Sequence, residues 1–170
     1  MPDDIRTVPS AAIEIYSSND YPAGALSNFT PHDFKFDGEM CASMEGLLQS
    51  LKFEDIAAAA TVRTLTRFRA KSAGFERNEI WKAAGMVWWK GRAIDRLGDA
   101  YQRLLDDAYR ALFTQNADAL AALLATGDAP LIHPSGSDDP SDTILTAREF
   151  CQRLEALRAE LTRAEPSQPD

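Results

Sequence analysis

Glu45, Gln49 and Lys52, in the stretch SMEGLLQSLKF (residues 43–53), set a carboxylate, an amide and an amine at i, i+4 and i+7. On a helix turning about 100° per residue, the three fall within about 60° of one another. Met44, Leu47, Leu48 and Leu51 form the adjoining apolar stripe of a core-facing helix. Glu45 and Lys52 would lie about 10 Å apart along the axis, leaving a gap suited to a sugar-sized ligand. Glu45 could accept a proton from water or a ribose hydroxyl. Lys52 could bind an anionic group, or attack an opened sugar aldehyde as a Schiff-base nucleophile. A polar row of this spacing is also what the solvated side of an amphipathic helix looks like, and pattern alone leaves both readings open.

Other reactive groups are sparse. There are only two histidines, His32 and His133, too few for a histidine-based metal site. His133 follows the apolar trio Pro130-Leu131-Ile132 and precedes a Gly/Asp/Ser loop, where it is either a functional group or a loop histidine bonded to backbone. P-loop, GxGxxG, GxSxG and HExxH patterns are missing, as is CxxC spacing, so the expectation is no metal and no cofactor. Cys41 and Cys151 read as small core residues of a reducing cytoplasm. Charge is segregated. Residues 61–96 hold nine Lys or Arg against three acids, a local +6, so the remainder of a chain of net charge −8 carries −14. That pattern suits either a local anion-binding surface or a cationic helix face packed beside acidic neighbours.

The elements that must position these groups are legible in outline. AIEIYS alternates as a strand, YPAGALSNFTPH is a turn-rich loop, and DFKFDGEM is a hairpin turning at Asp37-Gly38. Helices are expected over about 43–53, with Ser43 a candidate N-cap, and over about 54–72, ending before Gly74. RNEIWKAAGMVWWKGRAIDRLG starts helical and is broken by Gly91 and Gly98. DAYQRLLDDAYRALFTQ is amphipathic, and Asn116 caps a following helix that Gly127 closes. A long loop follows, with one short strand at 131–133. Thr146 and Glu149 then form a capping box that opens a last helix to about Arg163. The expected architecture is mainly α: a single compact helical domain over 11–163 with a small N-terminal β element. Residues 1–10 and the tail 164–170 are expected to be flexible. No apolar run reaches the roughly 18–20 residues of a membrane span, and the acidic N-terminus does not read as a signal peptide, so the expected location is cytoplasmic.

Taken in order, these segments resemble the NADAR (YbiA-like) N-glycosidase superfamily. Ser27-Asn28-Phe29 match its S-N-F loop and Phe36-Asp37-Gly38 its hairpin. Glu45, Gln49, Lys52 and Phe53 fall in register on its S-x-E-H-x-x-Q-x-x-K-F helix. AKSAG (70–74) is similar to its A-x-x-x-G segment, and residues 111–133 to its F-x-Q-x-x-x-L…LLATG…L block, so the likeness spans roughly 13–160. The resemblance implies a mainly helical YbiA-like fold and cleavage of ribosyl N-glycosidic bonds. The implied substrates are ADP-ribose attached to nucleobases, especially guanine, or phosphorylated intermediates of riboflavin synthesis. It puts Glu45 on the catalytic glutamate, Lys52 on the lysine of the K-F pair, and Ser27, Asn28 and Phe29 on the nucleotide pocket. The chain departs from the pattern at Gly46, where the family has histidine, and lacks the late D-x-x-W-G-x-G stretch. It resembles a sub-branch with W-x-G-x-x-I-x-R, here Trp89 to Arg96, and His133 and Asp139 are candidates to replace the missing contacts.

A diphosphate or phosphoribosyl ligand would suit an arginine fork, with Arg92 the first candidate beside Trp88 and Trp89. These tryptophans are either base-stacking platforms or core anchors. The expected activity is therefore hydrolysis of a ribosyl N-glycoside. Glu45 and Lys52 are the catalytic candidates; Ser27, Asn28, Phe29, Gln49, Trp89, Arg92, His133 and Asp139 are the substrate-binding ones. The expected partner is a small-molecule nucleotide or an ADP-ribosylated nucleic acid, without a membrane. The alternatives are a catalytically silent ADP-ribose or nucleotide-binding module and a purely structural helical partner.

Overall fold

The computed structural model describes residues 11–164. The expected flexible ends lie outside the described residues, except Ala164, which closes the last helix. The element order is β1 (Ile13–Glu14), β2 (Phe34–Phe36), β3 (Glu39–Cys41), α1 (Met44–Ser50), α2 (Ile56–Arg63), α3 (Arg67–Phe75), α4 (Asn78–Ala84), β4 (Met86–Trp89), β5 (Arg92–Asp95), α5 (Asp99–Gln115), α6 (Ala117–Ala125), β6 (Leu131–Ile132) and α7 (Ala147–Ala164). Among the described residues, seven α-helices with three two-stranded sheets make the fold mainly α with small β elements, as the hydrophobic periodicity predicts.

Strands β2 and β3 pair antiparallel around Asp37-Gly38, both at positive φ as a two-residue turn requires. Strand β1 pairs in parallel with β6, so the expected strands near residues 13 and 131 are partners 118 positions apart (Ile13↔Leu131). Asn116 caps α6 by accepting from the amide of Ala119, and Gly127 follows in the left-handed conformation. The capping box is complete: the Thr146 amide donates to Glu149 Oε2 at 2.7 Å and the Glu149 amide to Thr146 Oγ1 at 2.9 Å.

Two expectations are corrected. The helix expected over 54–72 is two helices, α2 and α3, separated at Thr64–Thr66. The break frees the carbonyls of Arg63 and Leu65, which accept from the Ala42 amide and the Ser43 hydroxyl. Residues 78–95 are not a broken helix: α4 ends at left-handed Gly85, and β4 and β5 then form a hairpin through Lys90-Gly91, again both at positive φ. Burial of all three β-prone residues Val87, Trp88 and Trp89 outweighs the helical start of this stretch.

Helix α1 sits in the middle, buried along its whole length, against α2, α3 and the core of α5, α6 and α7. Its Gly46 is where close packing is required. A Cβ there would lie 2.5 Å from the Leu65 carbonyl oxygen and 3.0 Å from that of Arg63. The histidine that the family carries at this position does not fit against this backbone.

Arg96 ties β5 to the segment before α7. It is fully buried, donates to both carboxylate oxygens of Glu149 at 3.0 Å and to the Thr143 carbonyl at 2.9 Å, and lies over the Tyr101 ring. Burial raises the Glu149 carboxyl, but hydrogen bonds from Arg96, Thr146 and Gln102 more than offset that and hold it below its usual range. The buried Tyr101 hydroxyl donates to the Ile144 carbonyl, so residues 143–144 are held from two sides.

Two substitutions test this frame. Gly46→Ala is expected to destabilise the protein by about 1–3 kcal/mol in denaturant unfolding, despite up to about 1 kcal/mol of gained helix propensity. Arg96→Leu takes the paired cation from half-buried Glu149 and the donor from the Thr143 carbonyl, and is expected to cost about 3–5 kcal/mol, read in the same way.

Candidate functional site

A cavity of about 430 Å³ opens beside the N-terminal half of α1. Its floor is Glu45, Leu48 and Gln49. One wall is the Ser27-Asn28-Phe29 loop with Phe68 and Lys71 of α3, and the other is His133, the 135–137 loop and residues 143–146. Each wall is held by hydrogen bonds and ring contacts. The Asn28 carbonyl accepts from the Glu45 amide, and its side-chain oxygen accepts from the buried Tyr109 hydroxyl at 2.9 Å. The Ser27 hydroxyl accepts from the Phe29 amide, and the Phe29 ring meets Phe68 edge-on at 5.2 Å. His133 Nδ1 is 2.8 Å from the Ile15 carbonyl, which fixes the ring, and its edge contacts Phe150.

Glu45 is 8% exposed and accepts from Gln49 Nε2 at 2.8 Å. Burial raises its pKa; the Gln49 bond, Lys71 and Lys52 pull it back without cancelling the rise. The other amide atom, Gln49 Oε1, is buried with no hydrogen-bond partner. Gly74 makes room for it: a Cβ at Gly74 would lie 1.7 Å from Oε1. The Ala70 and Gly74 of AKSAG thus form the face of α3 that packs on α1, and Lys71, one residue on, reaches the cavity wall.

Lys52 is 6% exposed and lies outside the cavity lining, donating to Asn78 Oδ1 at 2.7 Å. Burial lowers its pKa to about 8, against a smaller upward pull from Glu45. The α-helix ends at Ser50, so Lys52 follows a terminal turn and does not continue the row of Glu45 and Gln49.

Of the residues singled out in the sequence, Ser27, Asn28, Phe29, Glu45, Gln49 and His133 meet at one cavity, and Lys52 lies behind it. Trp89, Arg92 and Asp139 are elsewhere. Trp89 donates to Asp37 Oδ2 at 2.8 Å and packs between Phe36 and the Arg63 guanidinium, joining the two hairpins as a core anchor. Arg92 pairs in register with it on the exposed strand β5, because residues 86–95 form a hairpin. Asp139 is exposed, and its carboxylate is turned to the Ser141 amide and hydroxyl, whose hydrogen bonds lower its pKa. Sequence reasoning missed Phe68, Lys71 and Thr143–Thr146. For Lys71 a signal existed: small residues at 70 and 74 face a neighbouring helix, which sets the residue beside them at the seam. Among the described residues no three His, Cys, Asp or Glu side chains gather as a metal site, and no helix is long and apolar enough to cross a membrane.

Residues 20–159 match the model of the bacteriophage protein GP30.3 family. An uncharacterized 17.1 kDa protein of the Gp30-rIII intergenic region of Enterobacteria phage T4 is 32% identical over 150 residues, 88% of this chain and 98% of that one. In three dimensions the chain is similar to the NMR structure of Escherichia coli YbiA, with a TM-score of 0.63 and 21% identity over 95% of this chain and 92% of that one. The chain belongs to the bacteriophage GP30.3 family, a branch of the YbiA-like NADAR superfamily.

Proposed function

We propose that the protein is an N-glycosidase that hydrolyses the bond between ribose and a nucleobase, in an ADP-ribosylated guanine-type base or a related phosphoribosyl N-glycoside. The observation that carries this is Glu45, a buried carboxylate of raised pKa on the floor of a cavity of about 430 Å³, with two lysines in electrostatic reach. The cavity falls in the roughly 300–1,000 Å³ range of small-molecule sites.

In the proposed reaction the C1′–N bond breaks with its electron pair leaving on the base, and an oxocarbenium-like ribose develops. Ionised Glu45 stabilises that cation and takes a proton from the water that adds to C1′; the proton ends on the departing base. Gln49 holds the carboxylate in place through Nε2, while its Oε1 is packed against Gly74. Lys71 on the wall meets the phosphates of the ligand. Lys52 lends its charge from behind Glu45, and this reading replaces its alternative role as Schiff-base nucleophile, since its amine is turned to Asn78.

The direct test is hydrolysis of guanine-linked ADP-ribose, on DNA and as the free nucleoside conjugate, followed by mass spectrometry. Glu45→Gln is expected to lower kcat at least about 100-fold. Its Tm should be no lower than wild type, because an acid whose folded pKa is raised weakens the fold once ionised, and the amide removes that charge. Ligand bound but recovered intact from wild type would instead identify a binding module.

The pH profile of kcat/KM tests the charges. Activity is expected to rise through an acid limb above the ordinary carboxylate value of 4.5, as Glu45 ionises. It should fall above about pH 8, where Lys52 loses its proton. Lys52→Arg keeps the charge and should remove that alkaline limb. A wild-type profile still rising through pH 8 would mean that a neutral amine reacts.

A further inference from the structure

Helix α3 carries a second feature that runs on beyond the cavity wall. Ala70 and Gly74 pack inward on α1, so the opposite side carries Phe68, Ser72 and Phe75, with Lys71 and Arg69 on its flanks. Phe68 and Phe75 are 72% and 71% exposed, the most exposed large hydrophobic residues described. Two exposed aromatic rings about two helical turns apart have no role in the core. The side chains of Arg67 and Arg69 are exposed and make no hydrogen bond, ion pair or ring contact among the described residues. These cations lie within residues 61–96, which carry a local +6, on a protein of net charge −8. The stripe is also continuous with the cavity: Phe68 lines its mouth, contacts Phe29 edge-on at 5.2 Å, and Lys71 sits over the Phe29 ring at 5.7 Å.

Exposed rings interleaved with free cations are what a single nucleic-acid strand uses, bases on the rings and phosphates on the cations. We propose that the exposed face of α3 is a docking strip for single-stranded nucleic acid, which leads one nucleotide to the cavity mouth. Phe68 and Phe75 are about 10 Å apart along the helix, roughly three stacked nucleotide steps. The strip is short and straight, and the body around it is acidic, so a duplex with its denser phosphates is disfavoured and a few nucleotides of flexible strand are accepted. This deepens the proposed function, and rests on it for what happens to the delivered nucleotide: among the substrates above, it selects a modified base within a strand over a free nucleotide.

The test measures binding and no chemistry, so it fails or succeeds independently of the glycosidase reaction. A fluorescently labelled, unmodified 12-nucleotide oligothymidine and a 12-base-pair duplex are titrated by anisotropy with the full-length protein at several salt concentrations. The single strand is expected to bind tighter than the duplex. Phe68→Ala with Phe75→Ala should weaken it about tenfold or more. Arg67→Gln with Arg69→Gln should reduce the slope of log affinity against log salt by about 1.4. All four positions are exposed, so Tm should be unchanged, and Arg103→Gln on α5 serves as a control cation outside the cavity wall. No binding to the strand, equal binding to the duplex, or affinity unmoved by both double variants would overturn the proposal. So would capture by phosphatidylglycerol vesicles without strand binding, or self-association that the phenylalanine variant abolishes, since the strip would then serve a membrane or a second copy.

Discussion

A carboxylate taken out of water has to be compensated where it lies, and in this protein that constraint falls on Glu45. Helix α1 is buried on every side, so its polar residues cannot turn to solvent. The amide of Gln49 supplies a hydrogen bond one turn along the same helix, and Lys71 and Lys52 supply positive charge from two directions. Burial still wins, leaving the carboxyl harder to ionise than a surface glutamate. The neighbourhood serves that one group: Asn28 is tied to its amide, Gly74 is small so that Gln49 fits, and the cavity supplies the opening through which a ligand reaches it.

The helix contacts follow from the same need for closeness. Gly46 brings α1 onto the carbonyls at the end of α2, and Ala70 with Gly74 brings α3 onto α1. Small residues at these points leave no slack, which suits a site in which the position of one carboxylate matters. On the far wall the rigidity comes from polar groups instead. Arg96, Glu149 and Tyr101 hold residues 143–144 by their backbone carbonyls, so cavity walls made of loop are as constrained as those made of helix. The Arg96 of the W-x-G-x-x-I-x-R segment is therefore a support of the wall, and Trp89 of the same segment is a clasp between hairpins.

Local signals were reliable wherever the deciding interaction was local. The Asp37-Gly38 turn, the Asn116 cap and the Thr146–Glu149 capping box all depend on residues within three positions of one another, and all form as their types require. The continuous helix expected over 54–72 fails at Thr64–Thr66, because carbonyls there serve residues 42 and 43 of another element. The 86–95 hairpin was masked by the helical pattern before Gly85, although Lys90-Gly91 carries a turn signal much like Asp37-Gly38.

By itself the sequence determined the mainly helical class, the family, and the order of motifs that puts Ser27, Asn28, Phe29, Glu45 and Gln49 in one neighbourhood, since these depend on periodicity and short spacings. Only the tertiary structure decided that the polar row of α1 is buried, that Lys71 and not Lys52 lines the cavity, and that Trp89, Arg92 and Asp139 lie away from it. Helical spacing says which residues share a face. It does not say what packs against that face, and burial, pKa and access to a ligand are set by what does.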